Sequence, residues 1–397
     1  MQSNHIIAVL SSDEGIRFVK NNLNSDPNDL ALKYAGMTSF DLKTALHLIS
    51  IYKKASMKVP IISDNLLAID QRSYEQSTSQ KVAQYKANFI RGKNLLDLTA
   101  GIGIDSLYLS QNFEQIEAIE LNPSLHKLAC FNLEKLGMNN IKRIHGDSFD
   151  YLSGKVWDWI YIDPDRRING KRSVDLKYLK PDILGSLDVI KKAAFKTYIK
   201  LSPLFDLSEI ARCFNQLNAI YLIAEKNEIK EVGIFIDFSI KSETRNATLH
   251  LADVSTNYST SFSFNEYLTR KDFTYNTGYN RFLHTPKALI SKSSCFHFFT
   301  KGRNVTKHPE FQLFFSDKNN LPGFRTHEVI DKCVLSVKKI KQILRINSIA
   351  KMNIVIKGLD QLPSKWHNKL GTTDGGDYFL FILKSGEGEA IICRRII

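Results

Sequence analysis

The sequence predicts an α/β fold, in which a mainly parallel sheet carries helices on both faces and is flanked by smaller units. Three observations support this prediction. β-rich and helical segments alternate from residue 94 to about residue 200. The first β-rich segment ends in a glycine turn, NLLDLTAGIGIDS at residues 94–106. Two later β-rich runs, NAIYLIAE and VGIFIDF, are separated only by KNEIKE, which is too short for a crossover helix, so the last strand must be antiparallel to its neighbour.

The first segment of the chain is predicted to be a helical domain over residues 1–78. Asp26-Pro27 is a helix start in which a cap is followed by proline, and Thr38-Ser-Phe-Asp41 resembles a capping box. Apolar residues recur at helical spacing in LKTALHLISIYKKA, and Pro60 is expected to close the unit.

The sheet is predicted over residues 79–245, after a helix in YEQSTSQKVAQYKANFIRG that has Ser/Thr caps at 77–79. Further helices are expected from about residue 104, over SLHKLACFNLEKLG and over 182–194. The strands are expected, in order, at NLLDL, IEAIEL, IKRIHG, WDWIYID, FKTYIKL, NAIYLIAE and VGIFIDF.

The remaining residues are predicted to form a β-rich domain over 246–324 and an α+β domain over 325–397. The first begins with the alternating segments ATLHLADV and STSFSFNEYL. The second contains the helical run VLSVKKIKQILRI, the strand MNIVIKG, a helix near 363–370 and a hairpin that ends the chain.

Composition indicates a cytoplasmic protein with an anionic partner. No apolar stretch is long enough for a membrane span, and the first residues lack the basic and apolar regions of a signal peptide. The formal net charge is +13, and the run from Lys332 to Lys357 holds seven Lys/Arg and no acid. Such runs attract polyanions such as nucleic acid, although a solvated basic surface is the alternative interpretation. The five cysteines include no C-x-x-C pair and the histidines show no ligand spacing, so no metal is expected.

The glycine turn favours a ligand without phosphates. Ser106 occupies the place of the third glycine that dinucleotide-binding loops prefer, and Asp97 would oppose a pyrophosphate. Asp97 can instead help to hold an ammonium, while the loop backbone from Thr99 to Gly103 comes close to a small ligand. Taken singly, a glycine turn or a strand-end acid also serves packing or helix capping.

The next two strands add matching acceptors. Glu120 ends the second strand, where its carboxylate can take both ribose hydroxyls, and Asp147 follows the third strand, where it can accept from an adenine amino group while Ser148 adds a backbone donor. Amino acid, ribose and adenine together indicate S-adenosylmethionine. The candidate cofactor-binding residues are Asp97, Thr99, Ala100, Gly101, Gly103, Asp105, Glu120, Asp147 and Ser148.

Residues 79–240 resemble a class I S-adenosylmethionine-dependent methyltransferase, on the strength of DLTAGIGID, the acid in AIELN and the acid in HGDSF. The resemblance implies a Rossmann-like sheet. In IYIDPDRRINGKR it also implies catalytic roles for Asp163 and Pro164, since related enzymes orient a planar amino nitrogen with an (Asp/Asn)-Pro-Pro-aromatic loop. This chain departs from that loop, with Asp165 for the second proline and Arg166 for the aromatic residue.

Arg166 and Arg167 can instead pair with an RNA phosphate or stack on a base. The alternative is an ordinary loop in which these arginines pair with Asp165 or Asp175.

Most of residues 30–397 resemble a narrower group, bacterial methyltransferases of unassigned substrate with a THUMP-like C-terminal domain. The matching segments are YEQSTSQKVAQYKA, IDPDRR, KHPEFQLFFSD and LPSKWHNKLGTTDGGDYFLFI, whereas GFRTHEV lacks the Pro-Gly-Arg turn that we expect of the group. The resemblance implies that 246–324 is ferredoxin-like and 325–397 THUMP-like. It also implies an RNA substrate, because THUMP domains generally deliver RNA, often tRNA, to modifying enzymes.

We therefore expect an enzyme that methylates a base in structured RNA, either tRNA or rRNA. Lys338, Lys339 and Lys341 are expected to bind this RNA, because they fall at helical spacing with Arg345. The apolar side chains of the same run are expected to face the core: Val334, Val337, Ile340 and Leu344. A methyltransferase for a small molecule or a protein, and a non-catalytic RNA-binding module on the same fold, are the alternatives.

Overall fold

A computed structural model describes residues 3–165, 167–168, 171–172, 175–241, 243–265, 274–275, 280–384 and 386–396. The chain divides into two compact units, residues 1–265 and 266–397. In the part of the chain described, no helix is both long and apolar enough to cross a membrane.

The first unit begins with short helices around a shared apolar core that includes Leu48, Ile49 and Tyr52. Pro60 begins a helix rather than closing the helical segment, because proline at a first helical position loses no hydrogen bond. The helices are α1 Ser3–Ser11, α2 Asp13–Asn21, α3 Pro27–Lys33, α4 Leu42–Lys58, α5 Pro60–Asp64, α6 Gln71–Gln76 and α7 Gln80–Ala87.

One of the two predicted helix starts differs in its capping residue. Asp26 caps α3 as predicted, since its side chain accepts from the Asn28 amide. Helix α4 is capped by Asp41, whose Oδ1 accepts from the Thr44 amide at 3.1 Å, and not by Thr38. Asp41 is the residue directly before the helix, and a carboxylate there reaches the free amides of the first turn.

Among the described residues, the sheet of the first unit contains nine strands in the order β11-β10-β8-β9-β7-β4-β1-β2-β3. The separate pair β5 and β6 forms a small two-stranded sheet. The ranges are β1 Asn94–Asp97, β2 Gln115–Glu120, β3 Ile141–His145, β4 Trp157–Ile162, β5 Arg167–Ile168, β6 Lys171–Arg172, β7 Ala194–Leu201, β8 Ala219–Glu225, β9 Glu228–Asp237, β10 Thr248–Asp253 and β11 Tyr258–Ser263.

The centre of this sheet has the predicted parallel arrangement, with one reversed strand. β1 pairs in parallel with β2 and β4, and β4 pairs in parallel with β7. β9 is antiparallel to both β7 and β8, which confirms the prediction. The turn from β8 to β9 places Lys226 at φ 53° and Asn227 at φ 60°, the double left-handed geometry of a tight hairpin. Helices α8 Ile104–Leu109, α9 Pro123–Lys135, α10 Ile183–Ala193 and α11 Leu207–Cys213 connect the strands.

The sheet continues beyond residue 246, where a β-rich domain was predicted to begin. β10 lies parallel to β8, and β11 lies antiparallel to β10. The alternation in ATLHLADV gives β10 one apolar face, on which Leu249 and Leu251 are fully buried. β10 and β11 thus extend the existing sheet to residue 263.

The second unit is built on a sheet that has seven strands in the part of the chain described, in the order β13-β14-β12-β15-β18-β17-β16. Strands on both sides of the predicted boundary at 324/325 belong to this one sheet, since β12 pairs with β15. The division of the chain into four domains stays a prediction. The elements are β12 Phe282–Pro286, α12 Ala288–Ser293, α13 Phe296–Thr300, β13 Thr306–Lys307, β14 Phe314–Ser316, β15 Phe324–Val334, α14 Val337–Ile346, β16 Lys351–Lys357, α15 Pro363–Leu370, β17 Thr373–Leu383 and β18 Glu389–Arg395.

Helix α14 has most of its predicted apolar face. Ile340 and Leu344 are buried, and Val337 packs against the same core. Val334 is 43% exposed, contrary to the expectation that it faces the core. It is the last residue of β15 and precedes the helix, so it does not share the helical face.

Candidate active site

The glycine turn lies directly after β1 and leads into α8. Gly101 and Gly103 adopt φ values of 55° and 93°, which side chains other than glycine rarely tolerate. The Ala100 amide donates to the Ile119 carbonyl at 2.9 Å, and the Gly103 amide donates to the Ala100 carbonyl at 2.8 Å. These bonds fix the loop against the end of β2.

The Asp97 side chain is buried beneath this loop and orders it. Its Oδ1 accepts from the Thr99 amide at 3.1 Å, and its Oδ2 accepts from the Ser106 hydroxyl. Burial raises the pKa of Asp97 to about 6. Ser106 therefore has a defined structural contact in place of the expected third glycine. Contact between Asp97 and a ligand ammonium stays a prediction.

Glu120 lies at the end of β2 and holds the glycine turn from the side. Its Oε2 accepts from the Gly101 amide at 2.8 Å, and its Oε1 accepts from the Asn122 amide at 2.7 Å. Arg143 of β3 donates from Nη2 to the Gly101 carbonyl at 2.7 Å. The peptide units on both sides of Gly101 are thus anchored by side chains of opposite charge. Arg143 is not among the predicted site residues, because no motif surrounds it in the sequence.

Asp147 and Ser148 follow β3 at the same edge of the sheet. Asp147 is exposed, and its Oδ1 accepts from the Phe149 amide at 3.0 Å. This bond caps a short 3-10 turn over Ser148–Tyr151. Their contact with an adenine stays a prediction.

The end of β4 brings Asp163 next to the glycine turn. The Asp163 amide donates to the Thr99 hydroxyl at 2.6 Å, and Pro164 is buried behind it. The Asp163 side chain is 39% exposed, and its Oδ2 lies 2.5 Å from Nζ of Lys200 on β7. The predicted catalytic carboxylate therefore lies at the carboxyl edge of the sheet, as expected for ligand-binding residues of open α/β sheets.

Lys200 belongs to a buried charged cluster that the sequence analysis did not predict. Its Nζ donates to the Thr78 hydroxyl at 3.0 Å and lies 3.6 Å from Oδ2 of Asp105. Thr78 in turn donates to Asp105 at 2.7 Å. The Asp105 carboxylate, which is predicted to bind the cofactor, thus contacts Thr78, Lys200 and also Lys86.

Lys86 forms the inner end of the same cluster. Its Nζ lies 2.8 Å from Oδ1 of Asp105 and 2.8 Å from Oε2 of Glu231, and it donates to the Tyr161 hydroxyl at 2.7 Å. The Tyr198 hydroxyl donates to the other oxygen of Glu231 at 2.7 Å. Buried ions persist when they are paired and hydrogen-bonded in this way.

The charges of the cluster stabilise one another. Burial alone would raise the pKa of Asp105, but the ammonium groups of Lys86 and Lys200 outweigh it and hold that pKa well below its usual value. Burial alone would lower the pKa of Lys200, but the carboxylates of Asp163, Asp105 and Glu231 hold it above its usual value. Asp105 is therefore a carboxylate and Lys200 an ammonium at neutral pH.

The sequence does contain a feature that indicates this cluster, namely lysines at positions where the pattern expects apolar residues. Lys86 lies four residues after Val82 on the buried face of α7, and Lys200 interrupts the apolar strand FKTYIKL. A lysine at a core position is rarely found without an acidic partner. The partners themselves are not predictable from spacing.

The predicted RNA-binding residues divide into two groups. Arg166 lies outside the described residues, and of Arg167 only the backbone is described, in β5; their alternative pairing with Asp165 or Asp175 is likewise outside the description. Lys338 and Lys339 are exposed on α14 in the second unit, and Lys341 on the same helix is half-buried. Among the residues that the structure describes, no group of three or more His, Cys, Asp or Glu side chains could hold a metal ion.

Known proteins resemble this chain both in its C-terminal region and over its full length. Residues 324–395 match the family model of a THUMP domain-like region. The crystal structure of a suggested methyltransferase from Porphyromonas gingivalis W83 covers all of this chain and is itself covered completely, with a TM-score of 0.82 at 21% identity. This protein has a methyltransferase fold, and its residues 324–395 are THUMP-like. The resemblance stated from the sequence is confirmed.

Sequence relatives match this methyltransferase-fold chain over shorter stretches. An uncharacterised S-adenosylmethionine-dependent methyltransferase of Mycobacterium tuberculosis is 26% identical over 142 residues, 35% of this chain and 37% of the relative. A tRNA1(Val) (adenine(37)-N6)-methyltransferase of Aliivibrio salmonicida is 32% identical over 90 residues, 22% of this chain and 38% of the relative. The chain thus spans less than two-fifths of the length of these relatives.

Proposed function

We propose that the protein is an S-adenosylmethionine-dependent methyltransferase that methylates a nucleotide base in structured RNA, tRNA or rRNA. The observation that carries this proposal is the position of the Asp163 carboxylate. This carboxylate lies at the carboxyl edge of the sheet. The backbone amide of Asp163 donates to the hydroxyl of Thr99 in the glycine turn. The names of both relatives describe methyltransferases, and one of them acts on tRNA adenine.

The cofactor is proposed to lie across the glycine turn, with its methionine part over Thr99, Ala100 and Gly101. Gly101 has no side chain, and no atom lies within 4 Å of the place where a Cβ would be, so the backbone there can approach a small ligand. Glu120 would accept the ribose hydroxyls and Asp147 the adenine amino group.

Methyl transfer is an in-line displacement in which the nitrogen–carbon bond forms as the carbon–sulfur bond breaks, and S-adenosylhomocysteine leaves. Because positive charge on sulfur is lost, the protein needs mainly to align the acceptor with the methyl group. The Asp163 carboxylate and the Pro164 carbonyl would accept the amine hydrogens and direct the nitrogen lone pair at the methyl carbon. The proton leaves the nitrogen after transfer, so a strong general base is not required.

The test of this role replaces Asp163 by Ala. We expect S-adenosylmethionine affinity to stay within threefold while methyl transfer to an RNA pool falls by roughly a hundredfold or more, because alignment is lost. Asp188→Ala removes an exposed carboxylate on α10 and is the matched control. Wild-type turnover in Asp163→Ala would move the chemistry away from this residue.

Recognition of RNA is proposed to use the basic face of α14. Lys338, Lys339 and Arg345 are exposed there, and the buried face of the helix keeps them turned outward. Phosphate contacts of this kind release counterions, so affinity should fall steeply as salt rises. The half-buried Lys341 should contribute less.

The corresponding test compares two pairs of exposed lysines. Lys338/Lys339→Glu should weaken binding of a tRNA pool and reduce its salt dependence, whereas Lys191/Lys192→Glu on α10 changes the net charge equally and should have a smaller effect. Equal affinities and a flat salt response would favour a small-molecule or protein substrate. A chain that binds RNA but not S-adenosylmethionine in isothermal titration would be a non-catalytic RNA-binding module.

A further inference from the structure

We propose that Lys200 is a positioning residue for methyl transfer, which fixes the orientation of the Asp163 carboxylate at the methyl acceptor. This inference rests on the proposed function, and it assigns a role to a residue that lies outside the glycine turn and outside the IDPDRR loop. The two side chains are in direct contact. Nζ of Lys200 lies 2.5 Å from Oδ2 of Asp163.

The two partners differ in exposure in a way that suits this role. The Lys200 side chain is 14% exposed, and the Asp163 side chain is 39% exposed. The ammonium is therefore enclosed, while the carboxylate reaches the open edge of the sheet. An enclosed partner restricts the rotation of Asp163 without competing for the substrate.

The ammonium of Lys200 is itself fixed by Thr78 and Asp105. Its Nζ donates to the Thr78 hydroxyl at 3.0 Å and lies 3.6 Å from the Asp105 carboxylate, which Thr78 also contacts. Asp105 is fixed in turn by Lys86, which is fully buried. The ammonium cannot leave this position without losing three polar contacts, so the carboxylate that it holds stays in place.

The contact with Lys200 gives the two oxygens of the Asp163 carboxylate different roles. Lys200 donates to Oδ2, and we expect a hydrogen of the acceptor amine to bond to Oδ1, which has no side-chain partner of this kind among the described residues. The second amine hydrogen then requires the Pro164 carbonyl, and the nitrogen lone pair has one remaining direction. Lys200 stays an ammonium, because its carboxylate neighbours raise its pKa, and it does not accept a proton in the reaction.

A double-mutant cycle tests this role. Lys200→Met should lower the methyl-transfer rate at saturating S-adenosylmethionine about a hundredfold, the cost of a misplacement near 1 Å, while the KM and Kd of the cofactor stay within threefold. In the Asp163→Ala background, Lys200→Met should cause no further loss, because its effect passes through Asp163. Lys196→Met is the matched control, on the same strand near its other end.

A conservative variant keeps the test independent of folding. If Lys200→Met shows no cooperative unfolding transition in urea, it has not folded, and Lys200→Arg replaces it in the same cycle. It keeps the positive charge but displaces the carboxylate, so it should lower the rate at least tenfold in the wild-type background and not in Asp163→Ala.

Three results would overturn the proposal. One is a wild-type rate in the Lys200 variant, and another is a loss that persists in full in the Asp163→Ala background. The third is a loss of cofactor affinity as large as the loss of rate, which would assign Lys200 to cofactor binding. A wild-type protein that binds S-adenosylmethionine but labels no RNA would overturn the proposed function together with this inference, and is distinguishable from the other results.

Discussion

Replacement of Lys86 by Met should destabilise the first unit more than any exposed lysine replacement. Lys86 is fully buried on α7, and its ammonium contacts Asp105, Glu231 and the Tyr161 hydroxyl at 2.7–2.8 Å. Methionine fills a similar volume, so the change removes charge and hydrogen bonds rather than packing.

The expected cost follows from the groups left behind. Asp105 keeps its contacts with Lys200 and Thr78, whereas the contact that remains to Glu231 among the described residues is the Tyr198 hydroxyl. Glu231 has a side-chain exposure of 1%, so water cannot replace the lost ammonium. Removing one partner of a buried ion pair costs about 3–5 kcal/mol of the free energy of unfolding.

Urea unfolding at pH 7 measures this free energy, with Lys81→Met as control because Lys81 is exposed on the same helix. The control should change stability by less than about 0.5 kcal/mol. Adding Glu231→Gln to Lys86→Met should recover part of the loss, because it removes the unpaired charge. A Lys86→Met variant within 1 kcal/mol of the control, or a double variant with no recovery, would refute the reasoning about this cluster.

Three further predictions follow from the site. Glu120→Ala should weaken S-adenosylmethionine binding in isothermal titration by about 2–3 kcal/mol, because two hydroxyls and the Gly101 amide lose a charged acceptor; affinity equal to that of Glu117→Ala on the same strand would remove Glu120 from the site. Gly233→Ala would place Cβ 1.8 Å from the Tyr198 hydroxyl, so unfolding should show a loss of about 1–3 kcal/mol, and a neutral result would mean that the ring moves aside freely. Burial raises the pKa of Asp97 to about 6 in the folded state, so its contribution to stability is fully present below its unfolded pKa and is lost as pH rises through 6. Between pH 4 and pH 7 the wild type should therefore lose roughly 2 kcal/mol of stability from this group; an Asp97→Asn curve with the same slope would contradict that origin.

Much of the first unit was predictable because local patterns determine it. The alternation of strands and helices, the short link that reverses β9 and the glycine turn each depend on residues close together in sequence. The end of the sheet was not predictable in the same way. The pattern of ATLHLADV indicates a strand with one buried face, but it does not indicate which sheet the strand joins. In the structure, β10 and β11 extend the first sheet.

The candidate site was predictable where its residues end successive strands. Glu120 and Asp163 follow apolar strands, and parallel strands bring their carboxyl ends to one edge. The buried cluster was not predictable, because its members come from distant segments. Lys86 and Glu231 are 145 positions apart, and no spacing in the sequence pairs one with the other. Tertiary packing alone brings them together.

The central claim is that this protein transfers a methyl group from S-adenosylmethionine to a base in RNA. The most direct measurement incubates purified protein with S-adenosylmethionine labelled in its methyl group and a pool of tRNA and rRNA, and then identifies labelled nucleosides by mass spectrometry. The account predicts one labelled base nucleoside with the wild type and about a hundredfold less with Asp163→Ala at unchanged cofactor affinity. Absence of label from RNA, or equal labelling by Asp163→Ala, would contradict it.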